Sequence, residues 1–205
     1  MSGGRNWWGS VNYLAHAYLA RHDDDAMVGA ILGDFVKADA VDAFASTLAK
    51  EIRLHWRVDA FTDSHEIVHA LKRRFAAEDR RFAGIVLDLY FDHLLARDWT
   101  RYSDISLAEF SGRVYAGFAR WRDVLPERAR IAGDAMSAQD WLGRYGDADA
   151  MGKAVARVAA RLSRNGDRLQ ACLDAIERDP LPFEQGFEAF FPQLVSFAAS
   201  SREAV

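Results

Sequence analysis

Residues Ile85 to Trp99 read IVLDLYFDHLLARDW, and this stretch restricts the fold more tightly than any composition value. Ile85, Val86, Leu87, Leu89, Tyr90, Phe91, Leu94 and Leu95 cover nearly the whole circumference of a helix, which predicts a central helix buried on most sides. Asp88 and Asp92 stand four positions apart, so their carboxylates project one turn from each other, and His93 is the next residue around. Two carboxylates in a poorly solvated site repel and raise each other's pKa. An unpaired buried charge costs free energy comparable with the net stability of a domain, so a cation has to stand against them. The candidates are a buried arginine and a metal ion.

Isolated polar groups of this kind also have plain structural uses, since a buried aspartate often caps a neighbouring helix and a core histidine is often a hydrogen-bonded packing residue. A second helix shifts the balance toward a metal. LHWRVDAFTD sets His55 and Asp59 four apart on one face, with Asp63 a further turn on, again among apolar neighbours. Two such helices can build one mixed nitrogen and oxygen site, which suits Mn2+, Mg2+, Fe2+ or Zn2+; the lack of thiolates disfavours a structural zinc. The element Glu66-x-x-His69 matches half of a di-iron bundle motif, but no second copy exists. Gly-x-Ser-x-Gly, phosphate-loop and dinucleotide fingerprints are likewise missing from the sequence.

The rest of the chain reads as helix after helix. Apolar residues recur at helical spacing over 11–21, 26–36, 51–61, 106–124, 147–163, 167–177 and 182–199. Asp63 with Glu66, and Ser106 with Glu109, have the spacing of capping boxes. The expected fold is all-α, a compact bundle of about seven to nine helices. With half of its 205 residues apolar, the chain fits one core, and the expected boundaries are an N-terminal extension over 1–11 and one helical domain over 12–205. The single cysteine, Cys172, excludes an intrachain disulfide, and no window offers a membrane span, so a cytoplasmic protein is expected. A net charge of −4 argues against general nucleic-acid binding.

Four segments, NYLAHAYLA, GAILGDFVK, IRLHWRVDAFTDSH and IVLDLYFDHLLARDW, occur in an order that resembles the acyl carrier protein phosphodiesterases, and the likeness extends to FEAFFPQL near the C-terminus. That resemblance implies an all-α fold distantly related to the HD-domain phosphohydrolases. It also implies hydrolysis of the phosphodiester between 4′-phosphopantetheine and a serine of holo-acyl carrier protein, with Mn2+ or a similar divalent ion. Within the matching motifs fall His16, Asp34, His55, Asp59, Thr62, Asp63, Asp88, Asp92 and His93. Trp56 stands where the family pattern has a basic residue, and Asp92-His93 reverses the order of the usual HD dyad.

On this basis Asp34, Asp59, Asp88, Asp92 and His93 are expected to coordinate or support the metal, and His16 and His55 to ligate it or orient its ligands. Arg57 is expected to hold the phosphate, and Asp63 or a nearby histidine to handle a proton. Lys72, Arg73, Arg74, Arg80 and Arg81 form a basic run suited to an acidic carrier protein, although such runs are commonly just solvated surface. Trp7, Trp8, Trp99, Trp121, Trp141 and the FEAFF segment are either core or the lining of a groove for the pantetheine arm. The competing readings are an HD-like hydrolase of nucleotides or other small phosphodiesters, and a non-enzymatic helical module that binds carrier proteins.

Overall fold

The computed structural model describes residues 12–161 and 165–203. Among them lie eleven α-helices and no strand, so the all-α expectation is met with a higher helix count. The elements are α1 (Tyr13–Leu19), α2 (Asp24–Leu32), α3 (Ser46–Ser64), α4 (Glu66–Lys72), α5 (Arg80–Arg97), α6 (Leu107–Trp121), α7 (Glu127–Gln139), α8 (Trp141–Arg144), α9 (Ala148–Arg161), α10 (Gly166–Arg178) and α11 (Leu181–Glu203). The expected extension over 1–11, with Trp7 and Trp8, lies outside the described residues.

Helix α5 occupies the centre, as its all-round apolar pattern requires, and touches α1, α4, α8, α9, α10 and α11. On α11, Phe183, Phe187, Phe190 and Phe191 are buried; Phe91 of α5 packs beside Phe187 and Phe190, at centroid distances of 5.4 and 5.9 Å. The FEAFF aromatics are therefore core rather than a groove. Trp99 is also buried, its indole donating to the Ile105 carbonyl at 2.8 Å.

Two glycines one turn apart set how closely α2 meets α3. A Cβ on Gly29 would lie 2.8 Å from the Leu48 carbonyl oxygen, and one on Gly33 would lie 2.2 Å from Cγ of His55. Only hydrogen fits there, so the end of α2 rests directly on the His55 ring. Helix C-termini leave carbonyls without intrahelical donors. Here His55 Nδ1 takes the Ala30 carbonyl at 2.7 Å and Trp56 Nε1 takes that of Gly33 at 2.9 Å.

Local capping explains most boundaries. Asp23 accepts from the Ala26 amide to start α2, and Ser106 accepts from the Glu109 amide to start α6, as its spacing predicts. The Asp63–Glu66 capping box does not form: α3 continues through Asp63 to Ser64, and His65 caps α4 by accepting from the Ile67 amide at 3.3 Å. Helices α7 and α8 were not expected from the sequence. Only Ala129, Gly133 and Met136 of α7 are buried, too little apolar surface to give a periodic signal. At the far end, Arg202 of α11 pairs with buried Glu51 at 2.6 Å and donates to the Leu19 carbonyl at 2.9 Å, tying α11 to α3 and α1.

Candidate active site

Three chain segments bring four polar side chains together. His16 comes from α1, His55 and Asp59 from α3, and Asp34 from the turn after α2. His16 Nε2 lies 3.1 Å from Asp59 Oδ1; His55 Nε2 lies 3.2 Å from Asp59 Oδ2 and 3.4 Å from Asp34 Oδ1. The i, i+4 spacing of His55 and Asp59 is what turns both toward the same point.

The proton inventory of His55 decides what this cluster can do. A carbonyl only accepts, so Nδ1 carries the proton given to Ala30. In neutral His55, Nε2 would then hold a lone pair facing two carboxylate oxygens, which is repulsive. A cation is required at that point, either a second proton or a metal ion. Without metal the second proton wins: burial pulls the His55 imidazolium down, but Asp59 and Asp34 more than offset this and push its pKa up to about 10. Asp59 answers in kind. Burial raises its carboxyl, yet His55 and His16 hold it far below the usual carboxylate range. His16 is lowered by burial and by the neighbouring His55 charge, despite Asp59, and Asp34 is raised by burial in spite of His55.

A divalent ion fits the same point. Donor atoms of His16, His55 and Asp59 all lie within 4.8 Å of one another, and Asp34 Oδ2 is buried with no hydrogen-bond partner among the described residues. Two imidazoles with carboxylate oxygens form a donor set for Mn2+, Fe2+ or Zn2+. Cation preference is reinforced by the negative end of the α2 dipole, whose terminal carbonyls border the site. Access is one-sided, because the Asp59 side chain is 36% exposed whereas His16, His55 and Asp34 are 2%, 1% and 7% exposed.

The remaining expected residues are distributed around this cluster. Asp88 is half-buried on α5 and is not among the clustered donors; burial first, then the charge of Asp59, raises its carboxyl well above the usual range. Asp92, expected among the ligands, caps α1 instead: its fully buried carboxylate accepts from the Leu14 and Ala15 amides, both at 2.8 Å. Those are the amides an N-cap side chain normally satisfies, and Asn12 makes no such bond. His93 is not among the clustered donors, and its Nδ1 donates to the Tyr145 carbonyl at 2.7 Å. Arg57, two positions from both His55 and Asp59, turns the opposite way and donates to the Ser201 carbonyl at 3.1 Å. Asp63 is exposed and paired with Lys72 at 2.9 Å. Thr62, one turn beyond Asp59, has a buried hydroxyl with no partner among the described residues.

The basic run is less uniform than its sequence suggests. Lys72 is partly buried, Arg74 pairs with Asp179 at 3.2 Å, and Arg80 donates to the carbonyls of Phe75 and Arg73. Arg73 and Arg81 are exposed without an ion pair among the described residues, Arg81 lying over the Phe82 ring at 4.6 Å. What composition and spacing could not reveal was the seat that Gly33 provides for His55; the Gly29-x-x-x-Gly33 spacing was its one visible sign.

Residues 11–194 match the family model described as acyl carrier protein phosphodiesterase. This chain belongs to the acyl carrier protein phosphodiesterase family. It is 31% identical over 189 residues to an acyl carrier protein phosphodiesterase of Serratia proteamaculans (strain 568), covering 92% of this chain and 97% of that protein. It is 32% identical over 193 residues to proteins of the same name from Salmonella agona (strain SL483) and Salmonella newport (strain SL254), covering 92% of this chain and 98% of each. No solved structure matches the chain. Among the described residues no helix is long and apolar enough to cross a membrane.

Proposed function

We propose that the cluster of His16, His55, Asp59 and Asp34 holds a divalent metal ion, Mn2+ being the first choice, and that the protein hydrolyses holo-acyl carrier protein to apo-protein and 4′-phosphopantetheine. The observation that carries this reading is His55 Nε2, which faces oxygens of Asp59 and Asp34 with its other nitrogen already committed to Ala30. The names of the relatives supply the reaction class and the carrier substrate. When bound, the ion lowers the pKa of water toward neutrality and offsets charge on the phosphate oxygens.

The protein's own groups do the rest. Asp59, the most exposed of the four, marks where the phosphodiester enters, and Asp88 on α5, whose carboxyl feels the charge of Asp59, is the candidate for a further oxygen. Ala30 fixes the His55 tautomer, leaving Nε2 as a donor of electrons rather than of a proton. Attack of water forms a new phosphorus–oxygen bond as the bond to the carrier serine breaks; the water proton ends on the serine oxygen. An acidic carrier protein docks along the end of α4 and the start of α5, where Arg73 and Arg81 are exposed.

Incubating the purified protein with holo-carrier and Mn2+, then weighing the carrier by mass spectrometry, tests this directly. Loss of the prosthetic arm that is blocked by a chelator is expected, with nucleotides left intact. An unchanged carrier mass with every divalent ion tried would refute it.

A further inference from the structure

Lys72 ends α4, but it does not reach outward along the basic run. Its Nζ lies 2.9 Å from Asp63 Oδ1, its side chain is only 24% exposed, and a Cβ on Gly84 would lie 3.4 Å from its Cε and 3.5 Å from its Nζ. The ammonium is thus seated on the bare backbone of α5 at Gly84, one turn before Asp88, and against α3 at Asp63, one turn after Asp59. Among the charges that act most strongly on Asp88, those of Asp59, Lys72, Asp63 and Asp92, Lys72 is the one cation.

A phosphodiester approaching the open side of the cluster brings a negative charge past Asp59, Asp63 and Asp88. A positive side chain placed there would share the phosphate charge with the ion, and the guanidinium of Arg57 is held at Ser201 on the other side of α3. The present partner of Lys72 is easily exchanged, because the Asp63 side chain is 77% exposed and ion pairs with such groups contribute little. A lysine ammonium suits a phosphate oxygen as a compact charge with rotatable donors.

We infer that Lys72 is the phosphate-binding residue of this site, its Nζ leaving Asp63 to take a non-bridging oxygen of the phosphodiester and, after cleavage, of the phosphomonoester product. This deepens the hydrolase reading and rests on it for the identity of the phosphate.

The test compares wild type with Lys72→Met, Lys72→Arg and Asp63→Asn, using inorganic phosphate as the probe, with Lys153→Met as a control for simple loss of charge. In Lys72→Met, kcat/KM on holo-carrier falls about 10²-fold and the dissociation constant of phosphate, measured by calorimetry, rises about tenfold or more. Mn2+ affinity and Tm stay as in wild type, Lys72→Arg recovers most of the phosphate binding, and Asp63→Asn tightens it by freeing Nζ. A purely structural Lys72–Asp63 latch predicts the contrary, parallel losses in both variants, and that result overturns the inference. So does wild-type phosphate binding in Lys72→Met. Absence of hydrolysis in wild type would remove the enzymatic reading separately, since phosphate binding is measured without turnover.

Discussion

The rings of His16 and His55 stack with centroids 3.9 Å apart and planes 23° from parallel. Two imidazolium ions at that separation, both nearly dry, would repel strongly, so the pair carries one positive charge at a time. That charge resides on His55 in the metal-free protein, and an ion bound at the proposed site would have to displace it.

Metal uptake at the proposed site is therefore expected to release a proton. The folded pKa of His55, about 10, lies above its ordinary value of 6.5, so in metal-free protein the stability it contributes is full below pH 6.5 and is lost as pH rises through about 10. Between those limits Mn2+ affinity should climb about tenfold per pH unit. Calorimetry at pH 8 in two buffers of different ionisation enthalpy measures the release; a value near zero would show that no proton is displaced.

Replacing His55 or Asp59 should remove the activity rather than the fold. His55→Ala and Asp59→Asn are expected to lower kcat/KM by about 10³-fold or more and to abolish stoichiometric Mn2+ binding. Circular dichroism and metal analysis of the purified variants check this, and tight Mn2+ binding by Asp59→Asn would contradict the assignment.

Asp92→Ala should behave in the opposite way. It strands two buried amides at the start of α1, so stability drops by about 2–4 kcal/mol in urea titrations. Where the variant remains folded, Mn2+ affinity should stay within about tenfold of wild type, because no ligand is lost.

Gly33→Ala and Gly112→Ala form a matched pair. A methyl at position 33 collides with the His55 ring and should cost about 1–3 kcal/mol along with most of the activity. Nothing lies within 4 Å of a methyl at position 112 in α6, where the change should be neutral or stabilising by up to about 1 kcal/mol. Thermal melts with activity assays distinguish them.

Cys172 should resist alkylation. Its buried thiol faces the Asp79 carbonyl at 3.6 Å, and burial, aided by Asp79, pushes its pKa up to about 12 from 9.0. At pH 8.5 iodoacetamide should modify it only after unfolding; prompt labelling of native protein would count against the packing described.

Much of this architecture was legible in the sequence because burial writes periodicity. The all-round apolar pattern of α5 identified the centre, and the four-residue step from His55 to Asp59 identified a shared face. Helical spacing could not say what stands opposite that face. Asp92 has the same step from Asp88, yet its partners are amides on α1, 78 and 77 residues away in sequence. Arg57 is different, because its two-residue offset from His55 already places it on the far side of α3. The turn of Lys72 toward α5 leaves no periodic mark in the sequence, and α7 hid because only Ala129, Gly133 and Met136 of it are buried.

The clasp of Arg202 onto Glu51 and Leu19 has a practical corollary for anyone handling the protein. Leu19 closes the short helix that carries His16, so a proteolytic nick that removes Arg202 would slacken that helix from 183 residues away, and preparations clipped there would be expected to fade in potency while their hydrophobic interior stayed intact.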